Sequence, residues 1–288
     1  MANTAKTSTY FESMLEAIAE KGLREQVIKP DDWFDGDILY CGKCKKPRRE
    51  FRRCNDKLIL TASKCDCDIA DVEEEKRKER EAETQKKIAS LKLASMMDNR
   101  FRESTFENYI VTPENERQYK ISQRYCEKFP EMVKRSQGLL FYGSIGTGKT
   151  YLSACIGNRL MENLNSVFMT SFVKLIDMFK PGEDAETYIQ RMNRVSLLIL
   201  DDLKAERNSD YALEKVYNIV DSRYRSGKPV IYTTNLTLSQ MKETSDIRCS
   251  RIYDRIFETC YPVEFKGQSW RKKEAAKKYD DIKAILEG

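Results

Sequence analysis

The segment at residues 143–150, which reads GSIGTGKT, constrains the fold of this chain more than any other feature. It matches the pattern G-x-x-x-x-G-K-[ST] in full. An apolar run (GLLFYG, 138–143) leads into it, and a helical pattern over 149–163 follows it. A loop of this kind between a strand and a helix points backbone N–H groups at phosphate oxygens, and the helix N-terminus adds partial positive charge. The pattern predicts an ATP-binding loop in an α/β fold.

Each residue type in this loop has a physical role. The glycines let the backbone wrap around the phosphates. Lys149 reaches the β- and γ-phosphates, and the Thr150 hydroxyl coordinates Mg²⁺. The predicted nucleotide-binding residues are Gly143, Ser144, Ile145, Gly146, Thr147, Gly148, Lys149 and Thr150.

A second apolar run, LLILDD at 197–202, ends in two acids. A buried strand that ends in this way places carboxylates beside the phosphates, so Asp201 is predicted to hold Mg²⁺. Asp202 either positions and activates the attacking water or caps the next segment. Its carboxyl is one methylene shorter than that of a glutamate.

The run PVIYTTN at 229–235 ends a further strand in polar residues. Asn235 at its tip can hydrogen-bond the attacking water or the γ-phosphate, whereas Thr233 and Thr234 are interpreted as strand residues. Lys149, Asp201, Asp202 and Asn235 form the catalytic set derived from these patterns.

The rest of the chain from about residue 101 alternates strand-like and helical runs, which predicts a parallel sheet covered by helices on both faces. An amphipathic helical pattern covers 10–27, and a stretch at 71–92 mixes both charges with almost no apolar residue. The stretch is either a solvated helix or a flexible linker. We expect an N-terminal domain over 1–70, a charged helical linker over 71–100 and an ATPase domain over 101–288.

Nine cysteines and no histidine indicate a metal site, because cytosolic thiols stay reduced. Four of them form two close pairs, Cys41 with Cys44 and Cys65 with Cys67, which suits tetrahedral Zn²⁺. Cys54 could replace one of the four. The short polar segment that carries them could not build a core without a metal.

Many basic residues surround these cysteines. They either balance the negative charge of a Zn(Cys)₄ centre or contact DNA or an acidic protein surface. The residues concerned are Lys43, Lys45, Lys46, Arg48, Arg49, Arg52, Arg53 and Lys57.

Charge and hydropathy exclude some classes of protein. The formal net charge of +5 permits a nucleic-acid partner without requiring one. No run of 18 apolar residues occurs, and the first residues lack the pattern of a signal peptide. We expect a cytoplasmic protein without a membrane partner.

Four segments in order resemble one family of ATPases: the 143–150 loop, LLILDDL, ALEKVYNIVDSRYRSGKPVIYTTNL and SRIYDRI. They are similar to the DnaC/DnaI-type helicase loaders, an AAA+ branch that includes the IstB transposition helpers. The resemblance covers residues 101–288. The cysteine-bearing N-terminal region resembles that of loaders from Gram-positive bacteria and their phages.

The resemblance implies further roles. Asn235 matches sensor I, Arg255 matches the arginine finger that reaches a neighbouring subunit's ATP, and Arg271 in GQSWRKK matches a sensor II arginine. Arg251 lies one helical turn before Arg255 and supports it in this interpretation. The alternative for each arginine is a structural role in a surface ion pair, without a part in catalysis. The family also implies an ATPase domain without a full helical lid.

The implied function is an ATP-hydrolysing helicase loader. Its partners would be a DnaB-family hexameric helicase, single-stranded DNA and further copies of the chain, associated head to tail. One alternative is an IstB-like transposition helper that binds duplex DNA. Another is a zinc-dependent adaptor whose ATPase is only a nucleotide-responsive switch.

Overall fold

The computed structural model describes residues 2–54, 57–178, 185–203 and 210–287. The side chains of 2–12, 177, 178, 185, 273, 277, 280, 281 and 284 fall outside that description. The chain divides into two compact units, Met1–Thr84 and Gln85–Gly288.

The first unit contains little apolar core. Helix α1 (Ala2–Glu25) precedes two antiparallel hairpins, β1 (Trp33–Asp35) with β2 (Ile38–Tyr40) and β3 (Arg49–Cys54) with β4 (Lys57–Ala62). Among the side chains described in this unit, only four are buried. They are Leu39, Cys41, Arg48 and Cys65.

Helix α2 (Asp66–Ala94) contains the charged stretch. None of its residues is buried, and ion pairs such as those of Arg77 with Glu74 and Glu81 run along its surface. Of the two sequence interpretations, the structure therefore has the solvated helix.

The second unit is built on a five-stranded sheet with the order β6-β7-β8-β5-β9, in which every neighbouring pair is parallel. A single-turn 3₁₀ helix at Asn99–Phe101 precedes its first long helix. The strands are β5 (Gly138–Gly143), β6 (Val167–Ser171), β7 (Leu197–Leu203), β8 (Val230–Thr234) and β9 (Cys260–Phe265). The helices are α3 (Glu116–Glu127), α4 (Phe129–Lys134), α5 (Lys149–Glu162), α6 (Phe172–Met178), α7 (Ala185–Arg194), α8 (Asp210–Arg225), α9 (Leu238–Lys242), α10 (Ile247–Thr259) and α11 (Trp270–Glu287).

Apolar side chains cover both faces of this sheet. Along β7, Leu198 and Leu200 belong to one buried cluster, while Leu197 and Ile199 belong to another. The first cluster also contains residues of α8 and α10, and the second contains residues of α3 and α5. Successive residues of a strand face opposite ways, so a continuous apolar run is what a sheet covered on both faces requires. The predicted α/β class is confirmed.

Among the described residues, no helix is both long and apolar enough to cross a membrane.

Candidate nucleotide and metal sites

The 143–150 loop connects β5 to α5 and adopts a backbone that needs glycine. The φ angles of Gly143, Gly146 and Gly148 are 116°, 78° and 95°. A Cβ at Gly143 would lie 2.3 Å from the carbonyl oxygen of Phe265, and one at Gly146 would lie 2.1 Å from the Ser269 hydroxyl. Side chains at these two positions are therefore excluded by strain and by contact with the chain after β9.

Lys149 begins α5 and lies over the loop. Its side chain is buried, and Nζ donates to the carbonyl oxygens of Gly143 at 2.9 Å and Ser144 at 2.6 Å. Burial lowers the pKa of this lysine to about 8, against the opposing pull of the nearby acids. The loop thus holds one ammonium group where the phosphates are predicted to bind.

Thr150 and Asp201 meet at the edge of the sheet. The Thr150 hydroxyl donates to Asp201 Oδ1 at 2.7 Å, although the two residues are 51 positions apart in sequence. Burial raises the pKa of Asp201, while hydrogen bonds from Thr233 and Thr150 oppose that shift. A hydroxyl and a carboxylate at this spacing are hard oxygen ligands of the kind that Mg²⁺ prefers, so the donor set fits the metal.

Asp202 has a left-handed backbone conformation, with a φ of 60°. Its N–H donates to the Thr233 hydroxyl at 2.9 Å, and Asn235 Nδ2 lies 3.4 Å from its Oδ1. The sequence interpretation gave Thr233 a place in the strand, and β8 does contain it. Its hydroxyl, however, also contacts both acids, which residue type and spacing did not indicate.

The cleft between these groups has a volume of about 730 Å³. Arg271, at the start of α11, also lines it, and the adjacent Trp270 N–H donates to the Gly146 carbonyl at 2.9 Å. Of the predicted site residues, Ile145, Gly146, Gly148, Lys149, Thr150, Asp201, Asp202, Asn235 and Arg271 line this cleft. Arg100 and Tyr109 line it as well and were not predicted.

Arg255 lies elsewhere on the second unit, in α10, and does not line this cleft. Its guanidinium donates to Asp221 Oδ1 at 3.0 Å from Nε and to the Tyr217 hydroxyl at 3.1 Å. A third bond goes to the Arg251 carbonyl at 2.9 Å. The side chain of Arg251 itself is exposed. Within one chain Arg255 thus takes part in an ion pair, and its role across a subunit boundary stays a prediction.

In the first unit the four predicted metal ligands lie together. The Sγ atoms of Cys41, Cys44, Cys65 and Cys67 are all within 4.8 Å of one another. Cys54, at the end of β3, is not in this cluster. The Lys46 N–H and neighbouring thiols lower the pKa of Cys44 to about 6, whereas burial raises that of Cys65 to about 12. Four cysteine sulfurs at this spacing fit a tetrahedral Zn²⁺.

Several of the basic residues around the cluster pair with acids. Arg48 is buried and binds Asp68, with Nε and Oδ2 2.8 Å apart, and it also pairs with Asp32. Lys46 pairs with Asp66 at 2.5 Å. The pairs with Asp66 and Asp68 tie the segment between the two hairpins to the first turn of α2, so Arg48 in particular is a structural residue and not a contact for DNA.

Comparisons with known proteins place these sites in context. The family model described as IstB-like ATP binding protein matches residues 55–278. Among curated relatives, the replicative helicase loader DnaC of Escherichia coli (strain K12) is 29% identical over 182 residues, covering 61% of this chain and 72% of DnaC. The replicative helicase loader DnaI of Bacillus subtilis (strain 168) is 22% identical over 272 residues, covering 89% of this chain and 86% of DnaI.

A solved structure shares the fold. The crystal structure of DnaI superimposes with a TM-score of 0.52 at 24% sequence identity, over 60% of this chain and 94% of that chain. This likeness concerns the fold alone, an α/β core built on a parallel sheet.

Proposed function

The chain belongs to the IstB-like ATP-binding family, and from this premise we propose that it is an ATP-hydrolysing helicase loader. It binds a replicative DnaB-family hexameric helicase and delivers it to single-stranded DNA. The observation that carries the ATPase part of the proposal is the hydrogen bond between Thr150 and Asp201. It joins the phosphate loop to the acid strand in one cleft, as Mg²⁺–ATP chemistry requires.

The choice of a loader rests on the relatives. The proteins named helicase loaders match this chain over 72% and 86% of their own lengths. The DnaI alignment covers 89% of this chain and so includes part of the region before residue 101. Since the IstB-like family model begins only at residue 55, the DnaI alignment extends further toward the N-terminus than that model, which supports a loader over the transposition helper.

The residues of the cleft divide the work of hydrolysis. Lys149 carries charge to the β- and γ-phosphates, while Thr150 and Asp201 would hold Mg²⁺. When bound, Mg²⁺ neutralises charge on the phosphate oxygens. Asp202 and Asn235, whose side chains lie 3.4 Å apart, would orient the attacking water, and Arg271 would contact the γ-phosphate from α11.

Arg255 completes the site in a neighbouring copy. A head-to-tail contact places the α10 surface of one chain against the cleft of the next, and its repetition gives a ring or an open helix. Arg255 must then exchange part of its bonding with Asp221 for the γ-phosphate. The exposed Arg251, one turn away, would support that contact.

The first unit supplies the helicase contact in this proposal. Zn²⁺ bound by Cys41, Cys44, Cys65 and Cys67 would hold its two hairpins to α2. We retain the division into a zinc-binding domain over 1–70, a charged linker over 71–100 and an ATPase domain over 101–288.

The test combines binding with loading. Purified chain is mixed with the DnaB-family helicase of the same source, and co-sedimentation is measured with ATP and without nucleotide. Loading is then followed on circular single-stranded DNA. We expect a complex, helicase on the DNA and ATP turnover that single-stranded DNA and helicase increase.

Other outcomes would select the alternatives. Binding to duplex DNA without any helicase complex would favour the transposition helper. A helicase complex that responds to ATP but shows no turnover would favour the nucleotide-responsive adaptor.

A further inference from the structure

We propose that Thr233 is the positioning residue for the acid pair of the ATP site, which fixes the carboxylate of Asp201 and the backbone of Asp202 through one hydroxyl. The proposal rests on the proposed function, since it concerns how the same cleft takes up Mg²⁺–ATP.

The sheet has an irregular shape where β7 meets Thr233 of β8. Strands β7 and β8 pair in register from Leu198 opposite Val230 to Leu200 opposite Tyr232, and the next pair is Leu203 opposite Thr234. Asp201 and Asp202 together therefore stand opposite the single residue Thr233. An extra residue in one strand is a β-bulge, which bends the strand and re-aims its side chains.

Hydrogen bonds of the Thr233 hydroxyl cross this bulge. The Thr233 hydroxyl donates to Asp201 Oδ1 at 2.5 Å and accepts the Asp202 N–H at 2.9 Å. Thr233 is buried, at 2% exposure, which limits the competition of water for these bonds. Its neighbour Thr234 closes the other side of the bulge by donating to the Leu203 carbonyl at 2.7 Å.

The backbone of Asp202 is conformationally strained. Asp202 has a φ of 60°, a left-handed conformation that side-chain-bearing residues seldom adopt and that surrounding contacts must maintain. At the bulge the Asp202 N–H donates to the Thr233 hydroxyl. Without that hydroxyl Asp202 would lose one of the contacts that maintain its left-handed backbone.

The consequence concerns the metal more than the nucleotide. Asp201 Oδ1 accepts from both Thr150 at 2.7 Å and Thr233 at 2.5 Å, so one hydroxyl from α5 and one from β8 fix the carboxylate. Loss of the Thr233 bond leaves the Asp201 carboxylate held by Thr150 alone and so less well fixed, while the loop at 143–150 is untouched. Phosphate binding without Mg²⁺ should therefore persist, and the Mg²⁺ requirement should rise.

The experiment measures binding of a fluorescent ATP analogue to the full chain, over a series of Mg²⁺ concentrations and in EDTA. Thr233→Val removes the hydroxyl at nearly constant volume. Because a hydrogen bond to a charged group is lost, we expect the half-saturating Mg²⁺ concentration to rise roughly 10- to 100-fold. Affinity in EDTA should stay within about twofold of the wild type, since the phosphate loop is intact.

Two matched variants serve as controls. Thr233→Ser keeps the hydroxyl and should need no more than about threefold more Mg²⁺. Thr170→Val removes a hydroxyl from the neighbouring β6. Thr170 is 5% exposed, and its Oγ1 has no hydrogen-bond partner among the residues described. That variant should match the wild type in both conditions.

A Thr233→Val protein with a Mg²⁺ requirement within twofold of the wild type would overturn the inference. If that variant fails to fold, Thr233→Ser decides alone, because a tenfold rise with the hydroxyl kept would equally overturn it. The proposed function fails separately, through a wild type that binds Mg²⁺–ATP yet neither hydrolyses it nor engages a helicase.

Discussion

The predicted nucleotide site and the predicted metal site of this protein lie in units with very different hydrophobic cores. The nucleotide cleft stands at the edge of a parallel sheet with a large buried apolar cluster on each face. The cysteine cluster stands in a unit whose buried described side chains are Leu39, Arg48 and two of the cysteines themselves. The nucleotide cleft is supported by a hydrophobic core. The cysteine cluster makes up much of the small buried part of its own unit.

This difference teaches what each ligand does for the fold. A sheet with an apolar cluster on each face is stable without bound nucleotide. ATP therefore binds to a domain that is already folded. Two short hairpins and a solvated helix bury too little to be stable alone. A metal held by the four cysteines would therefore be part of the scaffold of the first unit, and its binding free energy would be folding free energy.

Removal of the metal is the strongest test of this difference between the two units. Chelation should unfold the first unit, because structural zinc sites contribute about 10–16 kcal/mol of apparent binding free energy. Hydrogen exchange should lose its protection in residues 13–84, while the affinity for an ATP analogue stays unchanged. Elemental analysis of anaerobically prepared protein should give one zinc per chain.

Cysteine variants test which residues hold the zinc. Cys65→Ser with Cys67→Ser should remove the zinc, whereas Cys54→Ser should keep it. Protection that persists in metal-free protein would show that the first unit has a core of another kind.

A second test asks whether the cleft needs a neighbouring chain. Arg255→Ala should still bind ATP, since its own phosphate loop is intact. Its hydrolysis should fall by about 10³–10⁵, the range typical of arginine fingers. Turnover is measured under conditions where sedimentation verifies assembly.

Mixing this variant with Lys149→Ala provides the control. One variant keeps an ATP site and the other keeps Arg255, so mixed assemblies should regain part of the activity. A mixture as inactive as its components would return Arg255 to the role of a structural partner of Asp221, to which it is already bound.

A third test separates binding from stability inside the second unit. Lys149→Ala should weaken ATP binding by about 100-fold or more, because charge-assisted bonds to the phosphates are lost. Thermal unfolding of the second unit without nucleotide should stay close to that of the wild type. Wild-type affinity in this variant would remove the basis for the site assignment.

The smallest expected effect is a dependence on pH. Burial lowers the pKa of Lys149 to about 8, so the nucleotide-free protein loses this charge as the pH rises through that value. Phosphate favours the charged form, so binding above pH 8 must take up a proton. Affinity should be flat below that pH and fall by up to about tenfold per pH unit above it.

Calorimetry in buffers of different ionisation enthalpy measures this proton uptake. Lys149→Ala should show none, which separates the lysine from other titrating groups. Equal affinities at pH 7 and pH 9.5 would contradict the assignment of the shift to Lys149.

The sequence determined the parts of this protein whose signals are local. The phosphate loop is a contiguous pattern with a strand before it and a helix after it. The apolar runs that became β5, β7 and β8 are continuous because both faces of their sheet are buried. The two cysteine pairs and the charged helix α2 could also be predicted from the sequence. Metal ligands show a characteristic spacing, and a solvated helix shows a charged composition.

Tertiary structure alone decided how distant residues combine. The bulge that places Thr233 against Asp201 and Asp202 depends on the register between two strands, and neither strand's sequence specifies it. The pairing of Arg255 with Asp221 joins residues 34 positions apart on two helices. Packing of α8 against α10 brings them together, and no periodicity within either helix encodes that choice. Hydrophobic pattern fixes which face of an element is buried, whereas the hydrogen-bond partners across that face follow only from how the elements are packed.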